Sequence, residues 1–468
     1  MEINKIQSNK RFSDILDISI GKKNFRIDDL KRDYMSILCN SIVRRLQDKT
    51  QVFPLDKNDF IRTRLTHSLE VSTIAEQLGI MINQDNKENK KSSRIIEKAP
   101  MILQCAGLLH DLGNPPFGHF GEVVIRDWFK SNLNKIKYKD KYLNEILPEQ
   151  AILDLKNFEG NAQTFRLLTK TYKNQNGNNL NLSYSILSTL IKYPVSSLNI
   201  DSSSTDIKKH KLGYFYSEKE QMEQIADELG TKINNEYVRH PLTYLLEAAD
   251  DIAYATSDLE DAFKKKLFTI DQLLDFLDEN RNDEKANKCY NECVDLLKEL
   301  IDNHENSSKY SIFHDWLLNI KWRLMYTAAS SFNYNFDKIM NGEYKSELFK
   351  NTFQELTLEL LKKASFIYAF NTKNVLKLEL SGKKIIDDLL DKFINAVINY
   401  DCDGIKLDKT NNKYITLISK DFINDYLANK TMDEHYNLYL RILMVLDYIS
   451  SMTDSHIRTL YKELNGIE

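Results

Sequence analysis

The chain has 468 residues, of which 42% are hydrophobic and 28% are charged, and its formal net charge is −4. This balance excludes a polycation and a low-complexity disordered chain, so any phosphate or nucleic-acid binding must depend on a local basic patch. Fourteen glycines and seven prolines are too few for a barrel or sandwich with many short turns. Five cysteines and no apolar run of about 18 residues predict a soluble, cytoplasmic protein with reduced thiols and no membrane partner.

Apolar residues recur every three or four positions along almost the whole chain, which predicts an all-α fold. We expect an N-terminal extension over residues 1–30, a helical core over 31–270 and a mostly helical C-terminal region over 271–468 packed on that core. The sequence allows at most a few short strands, and the candidates are Val375–Lys384 and Ile405–Ile415.

The first candidate functional residue is a histidine in the predicted helix at residues 62–81. His67, Val71, Ile74 and Leu78 fall on one helical face, so His67 points inward with the apolar stripe. A lone inward histidine is also consistent with an ordinary core residue that has its hydrogen bonds satisfied.

A second histidine belongs to a predicted helix that begins near Pro100 and is capped near Gly113. His110 shares its face with Leu103 and Ala106, and Asp111 follows directly, so both polar side chains can converge on one ion at the helix end. The pair alone is weak evidence, because a second His-Asp pair, His314–Asp315, stands in an unremarkable stretch.

The sequence Pro-Pro-Phe-Gly after this helix predicts a sharp turn and a new helix. His119 and Glu122 in that helix are neighbours at i and i+3, and a carboxylate beside an imidazole fixes its tautomer and raises its basicity. Gly118 and Gly121 would let a phosphate chain approach the backbone. An ordinary surface His–Glu pair is the alternative interpretation.

The third helix of interest covers residues 239–264 and contains two adjacent aspartates, Asp250 and Asp251, between apolar flanks. Asp250 shares a face with Leu246 and Ala253, although a solvated acidic turn is the alternative. Two imidazoles and two carboxylates make a suitable ligand set for a divalent cation, Mg²⁺ or Mn²⁺, with room left for water and a substrate oxygen. The predicted metal ligands are His67, His110, Asp111 and Asp250.

Several blocks of the sequence resemble the deoxyguanosine triphosphate triphosphohydrolase (dGTPase) family of the HD-domain phosphohydrolase superfamily. The blocks are Gln47–Val71, Leu108–Glu122, Phe158–Arg166, Leu242–Ala262 and Leu446–Asp454. The resemblance implies an all-α HD-domain core, a homo-oligomer that is often a hexamer, and possible modulation by single-stranded DNA. It also implies hydrolysis of dGTP to deoxyguanosine and inorganic triphosphate by water attack at the α-phosphate.

The resemblance also assigns roles to single residues. It places Asp250 rather than Asp251 on the metal, and it gives His119 and Glu122 the catalytic role. Whether His119 takes the proton from water or gives it to the leaving 5′-oxygen stays open.

A triphosphate needs cations, and Arg62 and Arg64 flank the start of the His67 helix. Other candidate contacts come from the resemblance, each with a surface or packing role as the alternative: Asn161, Lys192, Tyr193, Lys211 and Tyr254 for the nucleotide, and Gln51 and Glu379 near the base. The segment Asp401–Lys420 departs from the family, which has arginines there that reach a neighbouring subunit.

Two other functions stay open at this point. One is a triphosphohydrolase of broad specificity for deoxynucleoside triphosphates (dNTPs), and the other is a regulator that binds nucleotides or single-stranded DNA.

Overall fold

The structure, a computed structural model, describes residues 1–13, 19–20, 23–24, 28–53, 60–171, 180–303, 308–402 and 404–467. Within these residues the regular secondary structure is almost entirely helical. The first twelve helices are α1 Ile3–Ile6, α2 Asp29–Cys39, α3 Ser41–Arg45, α4 Arg64–Glu88, α5 Ala99–Leu109, α6 Gly118–Asn132, α7 Leu143–Ile146, α8 Glu149–Lys156, α9 Gly160–Arg166, α10 Tyr184–Thr189, α11 Lys219–Leu229 and α12 Pro241–Lys264. The others are α13 Ile270–Glu279, α14 Lys288–Asn303, α15 Lys309–Tyr334, α16 Phe336–Met340, α17 Glu355–Ser365, α18 Lys373–Val397, α19 Lys409–Leu417, α20 Lys420–Asn429, α21 Glu434–Ser450 and α22 Asp454–Leu464.

The described residues form three antiparallel pairs of two-residue strands. They are β1 Ser19–Ile20 with β2 Lys23–Asn24, β3 Lys137–Tyr138 with β4 Lys141–Tyr142, and β5 Lys232–Ile233 with β6 Glu236–Tyr237. The prediction of an all-α fold with at most a few short strands is therefore confirmed.

Both predicted strand positions are wrong. Val375–Lys384 lies inside α18, and Ile405–Ile415 runs through a loop into α19. The alternating leucines of residues 375–380 lie at the start of α18, which Thr372 caps by accepting a hydrogen bond from the Val375 amide. The helical period prevails over the short alternation, because buried residues continue it further along the helix. They are Ile385, Ile386, Leu389 and Leu390.

Helices α4, α5 and α12 form the centre of the N-terminal half. The backbones of α4 and α5 are in close contact, since a Cβ at Gly107 would lie 2.5 Å from Cα of Ser72 and one at Gly79 would lie 2.8 Å from Cα of Pro100. Helix α12 is buried along most of its length. As expected from the periodicity, His67, Val71, Ile74 and Leu78 are all buried.

Helix α5 ends earlier than the sequence predicts. Its last residue is Leu109, so His110 and Asp111 lie in the turn that follows, and Gly113 is not the cap. Gly113 packs against α9, where a Cβ would lie 2.3 Å from the carbonyl oxygen of Gly160. The glycine is required for close packing of this turn on α9.

The C-terminal helices are joined to the core by buried polar groups. Arg166 at the end of α9 donates to both carboxylate oxygens of Asp447 on α21 and to Glu218, and all three side chains are buried. Such a cluster is stable only with all members present, because loss of one leaves a buried charge unpaired. The division of the chain at residues 30 and 270 stays a prediction. No helix in the described part of the chain has the length and apolar character needed to cross a lipid bilayer.

Candidate metal centre and substrate cavity

His67 is placed by the start of α4. Thr63 and Thr66 form a reciprocal capping box, in which the Thr63 hydroxyl accepts from the Thr66 amide and the Thr66 hydroxyl accepts from the Thr63 amide. His67 follows one residue later with a side chain that is 1% exposed. The cap therefore fixes the first turn of the helix that aims this imidazole at α12.

His110 and Asp111 are fixed by hydrogen bonds in the turn after α5. Nδ1 of His110 donates to the carbonyl oxygen of Gly107 at 2.8 Å, which leaves the lone pair of Nε2 on the other side of the ring. One carboxylate oxygen of Asp111 accepts from Arg64 and the other from Asn114. Ligand side chains held in this way by outer hydrogen bonds are typical of metal sites.

Asp250 on α12 lies against both imidazoles. Its Oδ1 is 3.2 Å from Nε2 of His67 and 3.5 Å from Nε2 of His110, and Nε2 of His110 is 3.6 Å from Oδ1 of Asp111. The two imidazole rings are 5.4 Å apart, centroid to centroid. Four side chains from three separate parts of the chain therefore meet around one point.

The charges of this group are strongly coupled. Burial lowers the pKa of His110, but the carboxylates of Asp111 and Asp250 outweigh it and raise that pKa to about 9. Burial raises the pKa of Asp250, but His110 and His67 outweigh it and hold that pKa well below its ordinary value. Without a metal, protonated imidazole supplies positive charge between the two carboxylates.

The residues fit a divalent cation. Nε2 of His110 is buried and has no hydrogen-bond partner among the described residues, as expected of an atom reserved for a ligand. His67, His110 and Asp111 offer ligand atoms that all lie within 4.8 Å of one another. Two ligands at right angles, each about 2.1 Å from an ion, lie about 3 Å apart, which is close to the spacings around Asp250.

His119 and Glu122 form the predicted pair on α6. Nδ1 of His119 lies 3.0 Å from Oε2 of Glu122, and the other oxygen of Glu122 accepts from the Gly160 amide at 3.0 Å. The Glu122 side chain is 5% exposed, whereas that of His119 is 71% exposed. The buried Glu122 carboxylate, which accepts two hydrogen bonds, thus orients the accessible imidazole of His119. Nδ1–H of His119 donates to Glu122, and Nε2 is left available for proton transfer.

The two glycines beside this pair have different surroundings, and only Gly118 lines the cavity that the described residues form. The space beside Gly121 is filled by the carbonyl oxygen of Pro116, 2.2 Å from where a Cβ would lie. The space beside Gly118 is filled by the guanidinium of Arg64, 2.4 Å from the corresponding position. Gly121 is therefore needed for close packing of the backbone, whereas Gly118 lines the cavity beside the Arg64 guanidinium, and its contact with a phosphate chain stays a prediction.

A cavity of about 650 Å³ joins the metal group and the His–Glu pair. This volume is typical of a small-molecule site. Thirteen of the fifteen predicted site residues line it: Gln51, Arg64, His67, His110, Asp111, His119, Glu122, Asn161, Lys192, Lys211, Asp250, Tyr254 and Glu379.

The other two predicted contacts lie outside the cavity lining that the described residues form. Arg62 is paired with three carboxylates, those of Glu70, Glu260 and Asp261. Tyr193 is buried, with its ring 5.7 to 5.8 Å from the cationic groups of Lys192, Lys211 and Arg239. The structure thus gives Arg62 an ion-pair role at the start of α4 and puts Tyr193 beneath the cavity lysines.

Each cavity lysine is positioned by a buried glutamate. Nζ of Lys192 lies 2.8 Å from Oε1 of Glu247, whose other oxygen accepts from Arg239 at 2.7 Å. Burial raises the pKa of Glu247, but Arg239 and Lys192 outweigh it and lower that pKa to about 2. Nζ of Lys211 lies 3.2 Å from Oε1 of Glu159. These pairs hold two ammonium groups in the same cavity as the metal group.

One part of the cavity wall is aromatic and apolar. Tyr254, one turn after Asp250, stacks on Phe370 with a centroid separation of 5.7 Å and an interplanar angle of 23°. Glu379, another residue of the cavity lining, has its pKa raised by burial. Oε1 of Gln51 is buried with no hydrogen-bond partner in the described structure. The cavity lining therefore offers an aromatic face and, at Gln51, an unpaired acceptor to a planar polar ligand.

Sequence reasoning missed four residues of this site. Asn114 donates to Asp111, Glu159 and Glu247 hold the two lysines, and Phe370 stacks on Tyr254. Glu247 had a usable signal, because it lies three residues before Asp250 on the same helix. Glu159 likewise stands two residues before Asn161. Phe370 lies in a π-helical segment, Phe366–Phe370, which no simple period indicates.

Comparison with known proteins places this arrangement in a family. Residues 64–159 match the HD domain family. The chain is 43% identical to a deoxyguanosinetriphosphate triphosphohydrolase-like protein of Listeria monocytogenes over 445 residues, which cover 93% of this chain and 94% of that protein. It is 31% identical to the deoxyguanosinetriphosphate triphosphohydrolase of Yersinia pseudotuberculosis over 479 residues, which cover 92% of each. The chain belongs to the deoxyguanosinetriphosphate triphosphohydrolase family of HD-domain phosphohydrolases.

Proposed function

We propose that this enzyme is a metal-dependent dGTP triphosphohydrolase that releases deoxyguanosine and intact inorganic triphosphate. The observation that carries the proposal is the shared cavity, which joins a four-residue metal group, an oriented imidazole and two fixed lysines. A nucleoside triphosphate has matching parts: a phosphate chain for the cation and the lysines, and a base for the aromatic wall.

The metal ligands in this proposal are His67, His110, Asp111 and Asp250, with Mg²⁺ or Mn²⁺ as the ion. A bound divalent cation supplies positive charge to a phosphoryl oxygen and helps to orient water. Arg64 stays bound to Asp111 and fixes the orientation of that ligand.

His119 moves the proton in this proposal. Its Nδ1–H is held by Glu122, so Nε2 either accepts a proton from water or, once protonated, donates one to the leaving 5′-oxygen. Water forms a bond to the α-phosphorus, the bond from phosphorus to the 5′-oxygen breaks, and a proton ends on that oxygen. Both directions of transfer are compatible with this geometry.

The other cavity residues bind the nucleotide. Lys192 and Lys211 neutralise the phosphate chain, and Asn161 beside Glu159 offers an amide to it.

Tyr254 stacks on the sugar or base. Glu379 and Gln51 contact the base, and the adjacent donors of a guanine edge suit a carboxylate acceptor. Arg62 and Tyr193 support the site from outside the cavity lining.

The test is incubation with each of the four dNTPs and Mg²⁺ or Mn²⁺, with nucleoside and polyphosphate products resolved. Deoxyguanosine and triphosphate in equal amounts, formed fastest from dGTP, are the expected products. Water labelled with ¹⁸O places the label in triphosphate if attack is at phosphorus, and in deoxyguanosine if attack is at C5′. Release of pyrophosphate or orthophosphate from dGTP would contradict the proposal.

The second candidate is a dNTP triphosphohydrolase of broad specificity. The stacked pair of Tyr254 and Phe370 favours it, because an aromatic face accepts any base. Equal rates on all four dNTPs would select this candidate. A hexameric assembly, modulation by single-stranded DNA and a cytoplasmic location remain parts of the proposal that rest on the family resemblance.

A further inference from the structure

Asp454, the first residue of helix α22, contacts the active-site region from the far end of the chain. Its side chain is 1% exposed. Oδ1 accepts from the amide of Phe117 at 3.0 Å, 337 residues away in sequence. Oδ2 accepts from the amide of Thr50 at 2.9 Å and from the Thr50 hydroxyl. Both oxygens of one carboxylate thus join two separate segments that line the cavity.

The turn that Asp454 holds is strained. Phe117 has φ = +63°, a left-handed conformation that is unfavourable for a bulky side chain. Its ring packs on α18, where a Cβ at Gly382 would lie 2.9 Å from the ring. Phe117 caps the start of α6, and His119 follows two residues later. The orientation of His119 therefore depends on the left-handed conformation of Phe117, which contacts from the rest of the fold must stabilise.

Lys49, next to Thr50, forms a second connection, which reaches the turn that carries His110 and Asp111. Its buried Nζ donates to the carbonyl oxygens of Asn114 at 2.6 Å and Ser450 at 2.7 Å. Its carbonyl oxygen accepts from the amide of Arg64 at 3.0 Å. Arg64 and Asn114 both donate to Asp111. The segment 49–50 therefore connects the C-terminal helices to the turn after α5 as well as to the start of α6.

We propose that Asp454 is a positioning residue that holds Phe117 in its left-handed conformation and so aims His119 at the substrate. It touches neither substrate nor metal and acts through the turn. This role rests on the proposed function, because it assumes that His119 transfers the proton. It explains why the C-terminal helix of the chain contributes to a site whose proposed metal ligands and catalytic pair lie between residues 67 and 250.

Asp454→Asn is the sharpest test because it keeps shape and volume. An amide has one oxygen, so its NH₂ group must face either the Phe117 amide or the Thr50 amide, donor against donor. Thr50→Val is the milder variant, since it removes only the hydroxyl contact and leaves both backbone bonds. Ser455→Ala is the matched control, because the neighbouring Ser455 hydroxyl bonds Asp48 on the protein surface.

Kinetics of dGTP hydrolysis and Mn²⁺ binding are measured on the full-length protein. For Asp454→Asn, kcat should fall on the order of 10- to 100-fold while KM and the Kd for Mn²⁺ stay within about threefold of wild type. Thr50→Val should show a smaller fall in kcat, and Ser455→Ala should stay within about twofold. Unchanged kcat in Asp454→Asn overturns the proposal, as does an equal loss of kcat and Mn²⁺ affinity, which would indicate general disruption.

Hydrogen exchange on the metal-free protein provides a readout that does not need activity. Amides of residues 112–122 should exchange faster in Asp454→Asn than in wild type and Ser455→Ala. Unchanged exchange in these residues overturns the proposed role of Asp454 even if the dGTPase assignment holds. If wild type hydrolyses no dNTP, the proposed function fails, whereas the exchange result still decides whether Asp454 holds the turn.

Discussion

Nε2 of His67 and Oδ1 of Asp250 lie 3.2 Å apart although 183 residues separate them in sequence. Nε2 of His110 lies 3.5 Å from the same oxygen. This oxygen of Asp250 is therefore shared between two imidazoles that approach from α4 and from the turn after α5. Two buried imidazoles that share one carboxylate oxygen at the wall of a cavity form a ligand set that suits a divalent cation, so the contact indicates a metal site.

Removal of the shared carboxylate should abolish metal binding. We expect Asp250→Ala to weaken Mn²⁺ binding at least about 100-fold, because one of two negative ligands is lost and the imidazoles lose the oxygen that orients them. Equilibrium titration followed by Mn²⁺ electron paramagnetic resonance measures the change.

His314→Ala is the control for this experiment. His314 also precedes an aspartate, but it lies on α15, is 42% exposed and pairs with Glu260 at 3.3 Å. It should keep wild-type affinity and activity. Similar losses in the two variants would show that the metal assignment is wrong.

The accessible imidazole of His119 should be needed for turnover and not for binding. His119→Ala should lower kcat by about 10²- to 10⁴-fold, the usual contribution of a positioned acid or base. Because Nε2 of His119 is separate from the metal group, Mn²⁺ affinity should remain at the wild-type value. Discontinuous assays of triphosphate release measure kcat, and Mn²⁺ titration measures the affinity for the ion. Normal turnover in this variant would remove His119 from the mechanism.

Lys192 should contribute to binding of the phosphate chain more than to the chemical step. Lys192→Met should raise KM about 10- to 100-fold with a smaller effect on kcat, as for a charge that contacts ground state and transition state alike. The variant leaves Arg239 in place, which lies 2.7 Å from Glu247 in the wild-type structure, so the buried glutamate should keep one partner.

Lys208→Met is the matched control for that comparison. Lys208 pairs with Glu236 at 3.1 Å, and neither residue lines the cavity that the described residues form. Its KM should equal that of wild type. A KM for Lys192→Met that is no higher than that of the control would contradict the proposed contact.

His240, which caps α12, should make stability depend on pH. Burial lowers its pKa from 6.5 to about 4, and Nε2 donates to the carbonyl oxygen of Ile6 at 2.7 Å. The unfolded chain therefore binds a proton between pH 6.5 and 4 that the folded protein does not. The contribution to stability is complete above pH 6.5 and is lost as the pH falls toward 4, by about 3 kcal/mol.

Urea unfolding from pH 4 to 7 tests this dependence. His240→Asn, which keeps an N-cap acceptor, should lose less stability than wild type as the pH falls. His456→Asn, at an exposed position on α22, should follow wild type. Parallel curves for wild type and His240→Asn would exclude His240 as the source.

Periodicity predicted the inward face of His67 correctly, because α4 is long and its buried stripe is regular. The adjacent pair His110–Asp111 could not be separated from His314–Asp315 by spacing alone, since the difference lies in what packs around each pair. The choice of Asp250 over Asp251 came from the family resemblance, and in the structure Asp251 pairs instead with Lys362 at 2.7 Å.

Other features depend on contacts between distant segments and leave no local signal. The bond from Asp454 to Phe117 joins two turns that no pattern connects. The ion pairs of Arg62, a residue expected at the phosphates, depend on carboxylates supplied largely by α12. The alternation at residues 375–380 indicated a strand because a short window does not contain the helical repeat that follows.

The most direct test of the central claim is an anomalous difference map from crystals of the protein soaked with Mn²⁺. We expect one strong peak between Nε2 of His67, Nε2 of His110 and the carboxylates of Asp111 and Asp250, about 2.0 to 2.3 Å from each ligand atom. The absence of a peak at this position, or a peak bound only by residues outside this group, would contradict the account.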